Sequence, residues 1–338
     1  MPNLLKLLGP QQMHLLDVHL GHSNPVDKSQ SKQTTFRASP ALLLRLASLW
    51  LTPADFGVHQ DKEVVELRDK RPDVFERGAY LQYNDTPQTN TYRNDLKIIN
   101  DWIDAADIDL IDGRSMARLG ERRLRRVFNN GSFELGGRLF GGWWQDMNKQ
   151  DRLDILIDGV PTVTLDFAQM GPRILYGMAG VSFDCEAYAV PGFEDRRPGI
   201  KKLFAAMTYA AAPLRRFPDG TASLFYRGTK VRHVTEAIQT HHEAISGLFY
   251  SGAGLAAMYR ESEIMVEMLL TLKAAGIVAL PVHDALIVAE DRKEEVKTVM
   301  LAVFHAQTGV DGSITEECPQ RYDHCAPGPR QISRCRHR

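Results

Sequence analysis

Asp166, within Thr164-Leu-Asp-Phe-Ala-Gln169, and Asp284, within Pro281-Val-His-Asp-Ala-Leu286, are the two residues whose setting suggests chemistry. Each lies at the end of a short apolar run that reads as a β-strand, so both carboxylates can be aimed at one place. A carboxylate is a hard oxygen ligand for Mg²⁺, and two such ions roughly 3.5–4 Å apart can activate an attacking hydroxyl and stabilise a leaving oxygen. Between the aspartates, Arg197, Lys201, Ala205 and Tyr209 recur every fourth residue and therefore share one face of a helix that starts near Pro198. Cations at that helix N-terminus suit the phosphates of a nucleoside triphosphate, and Tyr209, two turns on, suits its base. The same residues have plainer readings: Asp166 as a helix cap, and the Arg197 segment as a basic amphipathic helix.

The elements that must position these groups are legible in turn chemistry and periodicity. Asp158-Gly159 separates Leu153–Ile157 from a second strand, Thr162–Phe167, which ends on Asp166; a helix follows over Met170–Ala179. Ile277–Val282 and Ala285–Val288 flank a His283-Asp284 turn, which predicts a tight hairpin. A long helix over Leu255–Leu272 precedes it, and a capped helix begins at Asp291–Glu294.

Further upstream, Asn24–Ala38 reads as a polar linker, and Ser39-Pro40 caps an apolar helical run over Ala41–Leu51. From Asn94 a packing helix shows Leu96, Ile99, Trp102 and Ile103 at helical spacing. Arg114, Arg118, Arg122, Arg125 and Arg126 recur mostly at steps of three and four, which predicts a helical stripe. Such a stripe tracks a phosphate backbone, or it is a solvated face compensated by Glu121. Gly136-Gly-Arg138-Leu-Phe-Gly-Gly-Trp-Trp-Gln145 allows close backbone approach, with Arg138 reaching nucleic acid and Trp143 and Trp144 packed in the core. His241-His242 reads as a polar helix face.

Taken in order, the three segments resemble motifs A, B and C of the family A DNA polymerases over roughly residues 118–303. Asp166-Phe167-Ala-Gln169-Met-Gly171-Pro-Arg173 resembles motif A, Arg197 through Lys201 to Tyr209 resembles motif B, and Val282-His283-Asp284 resembles motif C; Gly137-Arg138-Leu139 is similar to the glycine-arginine motif upstream. The chain departs from the pattern in three places. Gly171 replaces the glutamate that blocks a ribose 2′-hydroxyl, as in single-subunit phage RNA polymerases, while Ala205 replaces motif B's intermediate aromatic and Ala285 the second carboxylate of motif C.

The resemblance implies an α/β (α+β) fold: a palm with an antiparallel sheet, helical fingers and a reduced, thumb-like N-terminal part, without an exonuclease domain. It implies template-directed DNA synthesis from a primer, with Asp166, Asp284 and the Phe167 carbonyl holding two Mg²⁺ ions. Arg197, Lys201, Tyr209, Gln169 and Gly171 would form the nucleotide site, with Lys201 a proton donor to the leaving group. Arg138, Arg118, Arg122, His283 and Arg173 would meet the DNA primer-template. A single-subunit RNA polymerase or primase, and a degenerate fold that only binds nucleic acid, stay open.

Bulk properties set wide limits. The 338 residues, 43% hydrophobic, suffice for a sizeable core, and the formal net charge of -1 requires any nucleic-acid contact to use a local basic groove. The four cysteines make no disulfide framework, the apolar start Met1–Gly9 is too short to span a bilayer, and a reduced, cytoplasmic, monomeric protein is expected. The expected divisions are an N-terminal segment (1–38), a helical region (39–113), a catalytic core (114–306) and a basic tail (307–338). In the tail Arg330, Arg334, Arg336 and Arg338 accompany Cys318, His324, Cys325, Cys335 and His337, whose chemistry but not spacing suits zinc.

Overall fold

Turn-forming pairs set the strand order of the larger part of this protein. The computed structural model describes residues 8–9, 13–19, 21, 35–50, 62–71, 76–111, 121–183 and 186–317, and the chain divides into two compact units, Met1–Gln60 and Asp61–Arg338. In the first unit β1 (Leu16–His19) pairs antiparallel with β2 (Thr35–Ala38), and α1 (Pro40–Ser48) follows. Ser39 caps α1 as expected, its hydroxyl accepting from the Leu42 amide at 3.2 Å and donating to the His14 carbonyl at 2.6 Å. The linker reading of Asn24–Ala38 is corrected at its end, because Thr35–Ala38 is a strand; the rest of it lies outside the described residues.

The second unit starts with β3 (Val65–Leu67) and α2 (Pro87–Ala105), then β4 (Ile108–Leu110). Thr86 and Thr89 cap α2 reciprocally ahead of Pro87, so the helix begins a full two turns before Asn94. Leu96, Ile99 and Ile103 are fully buried, which confirms the spacing read from sequence. Buried Asn100 exchanges two hydrogen bonds with the Leu124 backbone, 2.7 and 2.9 Å long, which fixes the start of β5 (Arg125–Asn129). β5 turns through Asn130-Gly131, both at positive φ, into β6 (Ser132–Phe140), and β3, β5 and β6 form a small sheet.

The larger sheet has the order β4-β7-β8-β10-β9, with all its pairings antiparallel. β7 (Ile155–Ile157) and β8 (Val160–Phe167) flank the expected Asp158-Gly159 turn, both residues at positive φ. After β8 come the helices α3 (Met170–Met178), α4 (Arg197–Tyr209), α5 (Val231–His241) and α6 (Ala253–Ala274). The hairpin of β9 (Ala279–Val282) and β10 (Ala285–Ala289) then joins the sheet with β10 beside β8 and β9 at the edge, α7 (Lys293–Thr308) follows, and β11 (Ile314–Glu317) pairs with β8. The mixed α/β fold with an antiparallel sheet is thus the one expected. Its divisions differ: β3 and β4 lie within the stretch expected to be helical, and β11 completes the sheet from what was expected to be a tail. Among the described residues no helix is long and apolar enough to cross a membrane.

The arginine stripe is also corrected. Arg125 and Arg126 are in a strand, and the Arg122 guanidinium donates to the Ile103, Ala106 and Ile108 carbonyls, capping the end of α2; Arg114 and Arg118 lie outside the described residues. Trp143 and Trp144 are buried as expected. The Trp144 indole and the Gln145 amide both donate to the Pro281 carbonyl, at 2.9 and 3.0 Å, covering the outer edge of β9.

His242 is fully buried, in contrast to the polar face expected. Its Nε2 lies 2.8 Å from the Ala187 carbonyl and its Nδ1 3.0 Å from the Tyr176 hydroxyl. The carbonyl can only accept, so Nε2 carries the proton and Nδ1 accepts from the tyrosine. Burial pushes the imidazole pKa down to about 4. The unfolded chain, with an ordinary histidine, therefore binds more protons between pH 6.5 and 4, and stability falls as pH drops through that window. Urea denaturation should show a His242 contribution of about 2 kcal/mol lost between pH 7 and 5, and His242→Gln should reduce the pH dependence by that amount.

Candidate active site

Register brings the two aspartates together. Asp166 on β8 lies directly opposite Ala285 of β10, and Asp284 is the residue just before Ala285 in the two-residue turn that closes the Val282–Ala285 pair. His283 occupies the first turn position at φ 56°, a left-handed conformation that costs a non-glycine residue energy. The imidazole is 5.9 Å from the Phe140 ring and edge-on to it, and desolvation together with Arg138 disfavours its charged form. On the other side of β8, Thr315 of β11 faces Asp166, and its hydroxyl donates to the Asp166 carbonyl at 3.2 Å. The Ala168 amide bonds to Ser313, so the alternation of an antiparallel ladder turns the Phe167 carbonyl toward the opposite edge, where β10 begins.

Burial and neighbouring carboxylates both act against the ionised form of Asp166. Burial first, then Asp284 and then Glu317, raises the Asp166 pKa to about 6, while Lys149 and Lys201 act in the opposite sense. Oδ1 of Asp166 is buried without a hydrogen-bond partner. Among the described residues no group of three or more His, Cys, Asp or Glu is arranged to hold a metal. The donors that are present still fit magnesium, which takes one or two carboxylates and completes its shell with water and substrate oxygens.

Around this centre stand the expected cations. Arg197, Lys201, Ala205 and Tyr209 are all exposed along one face of α4, as their spacing predicts. Lys201 has no ion pair among the described residues, whereas Arg197 is 3.4 Å from Glu186 and lies over the Tyr188 ring at 5.1 Å. Burial raises the Tyr188 pKa to about 12.

Arg138 has a fixed partner that the sequence did not reveal. Two β-bulge glycines, Gly136 and Gly137, both at φ 80°, bring β6 against α6, where a Cβ on Gly137 would be 2.7 Å from the Ser262 hydroxyl. Arg138 then makes a two-pronged contact with Glu261, at 2.5 and 2.9 Å. Burial raises the Glu261 pKa and Arg138 lowers it, with a net rise. Desolvation is the largest single influence and works against the Arg138 cation, but the hydrogen bond and charge of Glu261, with Tyr209 and Asp284, together outweigh it and raise its pKa. Tyr209 and Asp284 both feel the charge of Arg138.

Two expected contacts are engaged within the fold. Arg173 donates to the Ala168 carbonyl at 3.1 Å and to the Asp311 carbonyl, joining α3 to the approach of β11. Gln169, at φ 58°, accepts from the Ala187 amide and donates to Glu186, both at 2.7 Å. Gly171 is exposed, with no atom within 4 Å of a Cβ built on it. Glu317, placed in the tail by the sequence reading, lies on the Asp166 face of the sheet and pairs with Lys149 at 2.5 Å.

No protein-family model matches the sequence, and no curated protein matches it. Among solved structures the chain is similar to the POL domain of Pol1 from M. smegmatis, solved in complex with DNA primer-template and dNTP. The identity is 14% and the TM-score 0.38, over 68% of this chain. The chain spans 50% of the length of that structure.

Tyr209 depends on a glycine. A Cβ at Gly254, in the first turn of α6, would come within 2.7 Å of the tyrosine ring. Gly254→Ala should therefore cost about 1–3 kcal/mol through overpacking, and in a Tyr209→Ala background the cost should vanish, as a double-mutant cycle by urea denaturation would reveal.

Proposed function

We propose that this protein is a template-directed DNA polymerase of the family A type that adds deoxynucleotides to a primer 3′ end. The observation that carries the reading is the meeting of Asp166 and Asp284 at one end of an antiparallel sheet, within electrostatic reach of Lys201. That sheet acts as the palm, and α4 with α5 as the fingers. The likeness of the motifs in order, on elements of the type each needs, supports the same reading.

Asp166 and Asp284, with the Phe167 carbonyl, would hold two Mg²⁺ ions, which when bound supply Lewis acidity toward the primer hydroxyl and the phosphates. Arg197 and Lys201 bind the triphosphate at the start of α4, and Lys201 is placed to give a proton to the departing pyrophosphate. Tyr209, held against Gly254, shapes the nucleotide pocket. Arg138, fixed by Glu261, and His283, at the tip of the hairpin, face the primer terminus. Gly171, where a Cβ would meet no atom within 4 Å, supports a second reading, a polymerase or primase that accepts ribonucleotides, because the residue has no side chain to exclude a 2′-hydroxyl.

Extension of a labelled primer on a DNA template with Mg²⁺ tests both readings. Asp166→Asn and Asp284→Asn should each slow incorporation by about 10³-fold, and Lys201→Ala by about 10²-fold, with folding intact by circular dichroism. Undiminished incorporation by Asp166→Asn would sink the proposal, and the ratio of ribonucleotide to deoxyribonucleotide incorporation decides the sugar.

A further inference from the structure

The Arg197 end of α4 already holds an anion, and that anion belongs to the chain. The Glu186 carboxylate takes hydrogen bonds from the Tyr188 amide at 3.2 Å on one oxygen and from the Gln169 side-chain amide at 2.7 Å on the other, and Arg197 approaches the first oxygen at 3.4 Å. Gln169 is held in turn by the Ala187 amide, at 2.7 Å. A backbone N–H, a neutral amide and a guanidinium converging on one carboxylate make a set that suits two phosphate oxygens equally well. The arrangement is open to solvent, with the Arg197 side chain 54% and the Glu186 side chain 42% exposed, so a ligand can reach it and the carboxylate can leave.

We propose that Glu186 is a resident counter-anion of this cradle and that a polyphosphate must displace its carboxylate from Arg197 to bind. The inference rests on the reading of Arg197 as a triphosphate ligand. Displacement replaces one charge-assisted contact by another, so the net gain from Arg197 is smaller than an unengaged guanidinium would give. The displaced carboxylate also remains near the bound phosphates and repels them. Entry of the triphosphate is weakened, and departure of pyrophosphate is eased, by the same competition. Glu186 thereby sets affinity for the triphosphate moiety without touching the reacting atoms.

Binding of inorganic tripolyphosphate to the full chain, without nucleic acid, measures this by calorimetry. Glu186→Gln should bind about tenfold more tightly than the native protein, and Glu186→Ala should do the same, the second variant guarding against a fault specific to glutamine. Arg197→Ala should remove the gain when combined with either. Equal affinity in native protein and both Glu186 variants, with Arg197→Ala weaker, would overturn the role of Glu186 and leave the triphosphate site standing. Weaker binding in the Glu186 variants would also overturn it, making the residue a support for Arg197. Absence of binding in every protein would remove the triphosphate reading itself and this inference with it.

Discussion

The attachment of α6 to the small sheet is the constraint on which the rest of the second unit depends. Two arginines from neighbouring strands reach this helix: Arg126, essentially without exposure, meets Glu263 at 2.5 Å and Ser262 at 2.7 Å, and Arg138 grips Glu261. Burying a guanidinium is costly, and the cost is offset only where its fork is filled. Arg126 achieves this with the Gly137 carbonyl as a third acceptor and the Tyr92 and Phe128 rings at 4.6 and 5.0 Å. Such a pairing contributes little net stability but tolerates only one register of helix on sheet. The helix so fixed carries Gly254 at one end, under Tyr209, and leads at the other into the hairpin that bears Asp284.

That dependence explains the asymmetry between what the residues reveal on their own and what they do not. Asp158-Gly159 and the apolar runs around His283-Asp284 identify their hairpins because turn geometry is local. The four-residue spacing from Arg197 to Tyr209 likewise identifies one helical face. Glu261 and Glu263 look like any charged pair on a helix, and only the bulge at Gly136-Gly137 turns them into partners of arginines more than 120 residues earlier. The arginine run failed as a helix because Asn100 and the β3 edge capture its last residues as a strand, a tertiary effect that periodicity cannot register. β11 was invisible for the same reason: four residues, Ile-Thr-Glu-Glu, become a strand because β8 has an open edge.

The aspartate pair lies at the opposite electrostatic extreme from these arginine clamps. Glu261 is buried and Glu263 half-buried, each with a cation in contact, whereas Asp166 feels the charge of Asp284 and has one buried oxygen lacking any hydrogen-bond partner. The two glutamates on α6 are neutralised by arginines, while this aspartate keeps an unpartnered buried oxygen. Proteins retain such local cost where a ligand relieves it.

The pairing of β11 with β8 has a consequence for how the protein is made. Asp166 and Thr315 are separated by 149 positions, so the strand that carries the aspartate waits for nearly half the chain to be synthesised before its last neighbour, after β7 and β10, exists. Until then an apolar strand has an unpaired edge, the kind of surface on which nascent chains associate wrongly. Contacts of such high sequence separation also form slowly. The corner that bears Asp166 is therefore among the last parts of the sheet to close, and a ribosome that stalls before Ile314 releases a chain with that edge exposed.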